Sequence, residues 1–368
     1  MTNRIDAAMD AAIENQTIVG AELIVARHGD IVYRRTTGWF DREAGTPMIE
    51  NAIYRLASVT KPIVAATALA MVGKGLIALD APVAQYIPWF QPRLKDGSSA
   101  HITIHHLLTH TAGLAYAYPQ DPEISTGLMA TGKSFEENFS RVAQHPLEYE
   151  PGTAWLYSVA IDVLGAAIAA VHGGSLQDAV ATYVTGPLGM ADTGFFVADE
   201  ARLAKPYADG TPPTPMTDPQ IVINDRGQPL TFSPRRVFNR EGGYQSGGSG
   251  MAGTPGDILR FLEALRNGGG GALKPATVAL AFSNRIGNVP REDAGMRFGY
   301  IGAITEDPAA AKSPVGKGSV NWGGVYGHQW LVDPANGITM VSMTNTALEG
   351  CTGRYPTLVR DAVYAELL

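Results

Sequence analysis

The chain carries the segment LASVTKP at residues 56–62, followed by the apolar run IVAA at residues 63–66. Proline is tolerated in a helix only within the first turn, so Pro62 predicts a helix that begins close to Ser58. A serine there lies in the positive field of the helix dipole, which favours negative charge on its oxygen. Lys61 follows three residues later on the same face, where apolar surroundings make its ammonium easier to deprotonate. The segment therefore predicts a nucleophilic serine with a lysine that shares its proton; the alternative is a helix-capping serine beside an incidental lysine.

Three further segments follow in order along the chain: LLTHTAGL at residues 107–114, PGTAWLYS at 151–158 and GGSGM at 247–251. Together with SVTKP at residues 58–62, they resemble the motifs of serine β-lactamases and penicillin-binding proteins, in the form used by the class C-like branch and its esterase relatives. Ala112 stands where that branch has a serine. The resemblance spans roughly residues 20 to 345, in the order that the family shows.

The resemblance implies an α+β fold of the β-lactamase and penicillin-binding-protein type, with an antiparallel sheet flanked by the terminal helices and a mainly helical domain. It also implies that Tyr157 is a second general base and acid, coupled to Lys61. A phenol beside an ammonium ionises more easily, and it can take the proton of Ser58 and return it to the leaving alcohol. Without Ser58 and Lys61, Tyr157 would be interpreted instead as an aromatic side chain packed on a domain face.

The periodicity of the sequence agrees with this architecture. It predicts helices at about residues 4–16, 58–75, 104–108, 135–144, 158–171, 176–184, 255–266 and 355–368, and strands at 20–27, 31–37, 296–304, 328–332 and 338–345. Strands at both ends of the chain predict one antiparallel sheet. The sheet domain is expected to comprise residues 1–80 and 268–368, and the helical domain residues 81–267, with a proline-rich surface excursion at 205–235.

Two departures from the family's pattern bear on the substrate. β-Lactamases have Tyr-x-Asn at the tyrosine motif, whereas this chain has Tyr157-Ser158-Val159, and valine offers no hydrogen bond. The family's Lys-Thr-Gly strand, which binds the β-lactam carboxylate, is replaced by Trp322-Gly323-Gly324-Val325. Both changes remove polar recognition of a β-lactam and keep the acylating residues. This combination resembles the family VIII carboxylesterases.

The resemblance also implies the groups that stabilise the oxyanion and contact the substrate. The oxyanion donors would be the backbone N–H groups of Ser58 and Val325. Gly323 and Gly324 would let the strand approach the substrate closely because they lack a Cβ. The remaining candidates for the substrate pocket are aromatic: Trp322, Tyr326, Tyr116 and Tyr244.

Composition and charge exclude several other classes of protein. With 28 Lys and Arg against 35 Asp and Glu, the net charge is −7, so a nucleic-acid partner is not expected. The only cysteine, Cys351, excludes an internal disulfide and fits a reducing, cytoplasmic compartment. The apolar runs at residues 62–79 and 155–171 contain Lys74 and Asp162, so neither predicts a membrane span. His101, His105, His106 and His110 cluster in the sequence but lack a complete zinc motif, so no metal and no cofactor is expected.

The sequence therefore predicts a serine esterase that hydrolyses short- to medium-chain carboxylic esters through an acyl-enzyme on Ser58. The expected partner is a small-molecule ester. Three alternatives stay open at this point: an acyltransferase that uses an alcohol or amine acceptor, a weak β-lactamase or peptidase, and a catalytically silent binding protein. The oligomeric state is not determined by the sequence.

Overall fold

The structure is a computed structural model that describes residues 3–224, 226–240 and 242–368. Its helices are α1 (Asn3–Glu14), α2 (Thr60–Gly73), α3 (Ile104–Leu108), α4 (Phe135–Val142), α5 (Ala160–His172), α6 (Leu176–Val180), α7 (Pro255–Arg266), α8 (Pro275–Ala281) and α9 (Tyr355–Leu367). Its strands are β1 (Gly20–Arg27), β2 (Asp30–Asp41), β3 (Thr46–Pro47), β4 (Tyr54–Arg55), β5 (Tyr207–Ala208), β6 (Thr214–Pro215), β7 (Gln220–Ile223), β8 (Pro229–Phe232), β9 (Ala252–Gly253), β10 (Met296–Phe298), β11 (Ala303–Thr305), β12 (Val320–Gly324), β13 (His328–Asp333) and β14 (Ile338–Thr344).

An antiparallel sheet in the order β10-β11-β12-β13-β14-β1-β2-β3 joins the two ends of the chain. Successive side chains of β1 point to opposite faces, as the period of a strand requires. On one face, Leu23 and Val25 pack with Met9 of α1 and Val359 of α9. The prediction of one sheet that is built from the terminal strands and flanked by the terminal helices is therefore confirmed.

The opposite face of the sheet covers the larger core. Ile24 and Ala26 of β1 join a cluster that includes Ile63 of α2, Leu164 of α5 and Leu262 of α7. Because α2 is apolar on all sides, it is buried along nearly its whole length and forms the centre of the molecule. This core crosses the predicted domain boundaries near residues 80 and 268, and the division itself stays a prediction.

Several elements differ from their predicted extents. The helix predicted at about residues 58–75 is a 3-10 turn over Ala57–Val59 followed by α2. The strand predicted over residues 296–304 is two strands, β10 and β11, because the chain reverses between Gly299 and Gly302, where the Gly299 N–H donates to the Gly302 carbonyl. The excursion at residues 205–235 contains the hairpins β5–β6 and β7–β8, in which Pro215 ends β6 and Pro229 begins β8. Strand ends are positions where proline is tolerated.

The two apolar runs of the sequence lie in α2 and α5, and both helices are buried in the core. Within the described ranges, no single helix has the length and apolar character needed to cross a membrane. The segments Ala160–His172 and Leu176–Thr185 reach that length and composition only as a pair, and they are bent by 81°.

Candidate active site

Ser58 lies in a strained turn immediately before α2. Ala57 has a φ of +44°, a left-handed conformation that costs about 1 kcal/mol or more in a residue with a Cβ. β12 packs against this turn so closely that a Cβ on Gly324 would overlap the carbonyl oxygen of Leu56. Local strain and close packing together fix the Ser58 side chain, which is only 5% exposed.

Two proton-carrying groups meet at the Ser58 oxygen. Tyr157 OH donates to Ser58 Oγ at 2.8 Å, and Lys61 Nζ donates to the same oxygen at 3.2 Å. Ser58 and Lys61 are buried and Tyr157 is half-buried, so these contacts lie in a partly dehydrated site where hydrogen bonds are stronger than in water. The structure thus brings the three predicted residues into direct contact, and their catalytic roles stay predictions.

The Lys61 ammonium is held on three sides. Its Nζ also donates to the carbonyl oxygen of Gly248 at 2.7 Å, and it lies 4.6 Å from the ring centre of Tyr157 and 5.5 Å from that of Tyr116. The rings of Tyr116 and Tyr157 are stacked at 5.3 Å with an angle of 9° between their planes. The two rings and the Gly248 carbonyl therefore fix the position and direction of the Lys61 side chain.

His110, from the LLTHTAGL segment, holds the segment that carries Tyr157. Its carbonyl accepts from the Leu156 N–H at 3.0 Å, and its Nδ1 accepts from the Ser158 N–H at 3.3 Å. The imidazole lies 4.8 Å from the Tyr157 ring, between ring centres. Burial and the charge of Lys61 keep the pKa of His110 well below its ordinary value, so the ring is neutral and acts as an acceptor.

Aromatic rings form one wall of the site. The Trp322 ring lies 5.2 Å from that of Tyr157 and 5.3 Å from that of Phe298. Behind them the Arg291 guanidinium lies 4.2 Å from the Trp155 ring centre. Burial lowers the pKa of Arg291, but this type of side chain stays charged. Trp322 therefore presents a half-buried indole surface beside Tyr157.

The glycines of β12 lie where an added side chain would clash with the protein backbone, and their close approach to the substrate stays a prediction. A Cβ on Gly323 would lie 2.7 Å from the carbonyl oxygen of His328, and one on Gly324 would meet the turn of Ser58. Val325 follows directly and packs on the cluster that contains Ala57, the neighbour of Ser58.

Two of the other aromatic candidates are buried. Tyr326 is 7% exposed, with its ring 4.9 Å from that of Phe232, so its role as a substrate contact stays a prediction. Tyr244 packs on Phe139 at 5.2 Å and donates from its OH to the Ser125 carbonyl at 3.0 Å. Tyr244 is therefore a core side chain rather than a wall of the site.

Asp162 was visible in the sequence as a charged residue within an apolar helix, yet the sequence assigned it no role. In α5 it is fully buried, and its Oδ1 accepts from Ser246 Oγ and from the Gly248 N–H at 3.2 Å. Burial raises its pKa, while the charge of Lys61 acts in the opposite direction. The sequence signals were a carboxylate inside an apolar helix and its position five residues after Tyr157.

His105, His106 and His110 of the histidine cluster have partners within the protein. Within residues 3–224, 226–240 and 242–368, no three His, Cys, Asp or Glu side chains gather as metal ligands do. His105 Nδ1 faces Tyr300 OH at 2.9 Å, and His106 Nδ1 accepts from the Thr103 N–H at 3.2 Å. Cys351 is buried, and burial raises the pKa of its thiol to about 12.

Comparison with known proteins gives matches over nearly the whole chain. Residues 5–363 match the family described as Beta-lactamase. The chain is 47% identical to Esterase EstB of Burkholderia gladioli, over 98% of this chain and 95% of that protein. It is 26% identical to Lovastatin esterase of Penicillium rubens, over 94% and 93%. Its structure superposes on that of EstCE1, described as a hydrolase with promiscuous acyltransferase activity, with a TM-score of 0.93, 39% identity and 98% of both chains covered. The predicted fold class is therefore confirmed.

Proposed function

The chain belongs to the beta-lactamase family, and we propose that it is a serine esterase that forms an acyl-enzyme on Ser58. One observation carries the proposal: Ser58 Oγ is in contact with Tyr157 OH at 2.8 Å and with Lys61 Nζ at 3.2 Å. A serine hydroxyl is a weak nucleophile unless neighbouring groups take its proton. The likeness to two proteins named as esterases supports an ester as the substrate.

Acylation begins when the Ser58 oxygen attacks the ester carbonyl carbon and its proton passes to the pair formed by Tyr157 and Lys61. The carbonyl oxygen becomes an oxyanion, which the N–H groups of Ser58 and Val325 stabilise. In the described residues no hydrogen bond engages the Val325 N–H, so it is available to an oxyanion. As the tetrahedral intermediate collapses, the pair returns the proton to the leaving oxygen and an alcohol departs.

Deacylation repeats these steps with water. The pair takes a proton from a water molecule, the hydroxide oxygen attacks the acyl carbon, and the Ser58–acyl bond breaks. The proton then returns to Ser58 Oγ, which releases a carboxylic acid and restores the enzyme. The proposed route uses no metal and no cofactor.

The surroundings of Ser58 favour a neutral ester over a β-lactam. Val159 is fully buried at the start of α5, and Trp322 places an indole beside Tyr157. The charge-assisted hydrogen bond that relatives make to a carboxylate is worth roughly 1.5–3 kcal/mol, and a neutral amide bond roughly 0.5–1.5 kcal/mol. Their combined absence corresponds to about 30- to 2,000-fold in kcat/KM. We therefore propose short- to medium-chain carboxylic esters as the substrate class.

Acyl transfer is the second candidate, and the structural likeness to EstCE1 favours it. Both reactions share the acyl-enzyme on Ser58, and they differ only in whether water or another nucleophile attacks it. Product analysis in the presence of a competing primary alcohol separates them. Transfer yields the new ester, whereas hydrolysis yields only the acid.

The proposal is tested with a fluorophosphonate and a panel of aryl esters. We expect covalent labelling at Ser58 alone and hydrolysis of a short-chain aryl ester at least 30-fold faster in kcat/KM than that of a chromogenic cephalosporin. Ser58→Ala should abolish both labelling and turnover. The matched control is Ser319→Ala, which removes the hydroxyl of a buried serine that donates to the Gly316 carbonyl. Labelling at another serine, or comparable kcat/KM values for ester and cephalosporin, would reject the proposal.

A further inference from the structure

Asp162 of α5 is linked to the catalytic lysine, Lys61, through the backbone of a single residue, Gly248. Its Oδ1 accepts from the Gly248 N–H at 3.2 Å, and the Gly248 carbonyl accepts from Lys61 Nζ at 2.7 Å. Ser246 Oγ also donates to Oδ1 and thereby anchors the start of the same loop. The backbone of Gly248 therefore lies between a buried carboxylate and a buried ammonium, bonded to both.

The contact between Asp162 and this loop leaves no free space. A Cβ at position 248 would overlap Oδ2 of Asp162, so only glycine permits this approach. Oδ2 itself is buried and has no hydrogen-bond partner among the described residues. Burying a carboxylate with one unpaired oxygen costs free energy unless another interaction offsets it. The nearby Lys61 ammonium supplies a charge of opposite sign.

We propose that Asp162 is a positioning residue, which holds Lys61 against Ser58 through Gly248 and sets the proton affinity of the pair formed by Lys61 and Tyr157. This inference rests on the proposed function and deepens it, because it assigns the base pair a fixed counter-charge. Asp162 touches neither the nucleophile nor the substrate, and it acts only through the loop and through its charge.

The sign of the effect follows from the charges around the pair. The active form, either Lys61 ammonium with Tyr157 phenolate or the neutral pair, carries one proton fewer than the inactive form, in which both groups are protonated. A carboxylate nearby stabilises the more positive, inactive form and so raises the pH at which activity appears. Among the residues that the structure describes, the other titratable groups that face Asp162 or Lys61 are Tyr116, Tyr244, Arg236 and His110.

The experiment is the pH profile of Asp162→Asn with an aryl ester, with kcat expressed per site titrated by a fluorophosphonate. We expect kcat to fall at least tenfold with KM changed less than threefold, because the lysine is misplaced and ester binding is not. We expect the acidic limb of kcat/KM to move down by about one pH unit, because the counter-charge is lost. The matched control is Asp257→Asn, which removes the charge of another buried carboxylate; this carboxylate accepts from the Asp192 N–H at 2.9 Å, from the Thr193 hydroxyl at 3.0 Å and from Arg260 Nη1 at 3.1 Å.

The outcomes separate this inference from the function on which it rests. An active wild type whose acidic limb is unmoved in Asp162→Asn would overturn the inference alone. A limb that moves equally in Asp257→Asn would overturn it too. If Asp162→Asn does not fold, Ser246→Ala replaces it as the test variant. The inference then predicts at least a threefold loss of kcat per titrated site. A folded Ser246→Ala variant with the wild-type kcat would overturn the inference. A wild type that hydrolyses no ester would reject the proposed function and this inference together.

Discussion

Gly324→Ala tests whether the close approach of β12 to the turn that carries Ser58 supports catalysis. The added Cβ would overlap the Leu56 carbonyl oxygen and would lie 3.4 Å from the Leu56 carbonyl carbon and 3.2 Å from Val59 Cγ2. These atoms belong to the turn that carries Ser58, so they are fixed by backbone packing on the core. The strand therefore has to move away from the turn, and Val325 moves with it.

The size of the effect follows from that displacement. To restore ordinary van der Waals separation from the Leu56 oxygen, β12 has to shift by about 1 Å. A shift of this size takes the Val325 N–H out of hydrogen-bond distance of the developing oxyanion. Loss of one oxyanion donor lowers kcat by about 10²- to 10³-fold, or about 2.7–4 kcal/mol, and we expect Gly324→Ala to fall in that range.

The assay is steady-state hydrolysis of an aryl ester, with active sites counted by fluorophosphonate titration so that partial unfolding does not lower the apparent kcat. Gly132→Ala is the matched control, because no heavy atom lies within 4 Å of an added Cβ there and its φ is not positive. We expect the control to keep wild-type kcat. A kcat for Gly324→Ala within threefold of wild type would show that β12 adjusts without cost to the reaction and would remove Val325 from the oxyanion site.

Two further predictions concern the pair formed by Lys61 and Tyr157, and the buried His328. Lys61→Ala and Tyr157→Phe should each lower kcat by about 10²-fold or more, and the double variant should be scarcely worse because the two act as one unit; losses that multiply would show independent roles. His328 donates from Nε2 to the Arg55 carbonyl at 2.8 Å, its Nδ1 is buried without a partner among the described residues, and burial lowers its pKa to about 4. In the unfolded chain His328 binds a proton near pH 6.5, whereas in the folded protein it stays neutral until about pH 4. The free energy of unfolding should therefore keep its full value above pH 6.5 and fall by up to about 3 kcal/mol as the pH falls to 4. Chemical denaturation of His328→Gln against wild type checks this, and equal pH slopes would refute it.

The parts of the fold that the sequence predicts have local causes. α7 begins and ends where its pattern indicates, at Pro255 and Arg266, because Thr254 caps it through the Asp257 N–H and proline occupies its first position. The hairpin β1–β2 turns at Gly29, whose φ of +100° suits glycine. In each case the residues that decide the conformation lie within a few positions of one another.

The errors occur where the deciding contact is distant. β4 and β9 are two-residue strands that pair Tyr54 with Gly253 and Arg55 with Ala252, and neither has an alternating pattern of its own. The 3-10 turn before α2 has a similar origin. The left-handed Ala57 is held by packing against β12, more than 260 residues further along the chain, and the sequence around Ser58 reads simply as the start of a helix.

The candidate site shows the same division between local and distant causes. Ser58 and Lys61 are recognisable because they lie three residues apart on one helical face, whereas Tyr157 gains its meaning only from a family resemblance, being 99 residues from the oxygen that it contacts. Asp162 is the most informative case. A carboxylate in an apolar helix predicts a hydrogen-bonding or charged partner, because an uncompensated buried charge is costly. The sequence cannot name that partner, since Ser246 and Gly248 lie 84 and 86 residues away. Only the fold shows that the loop bonded to this carboxylate also holds Lys61, the lysine of the candidate site. A charge inside an otherwise apolar helix can therefore mark the distant end of such a site.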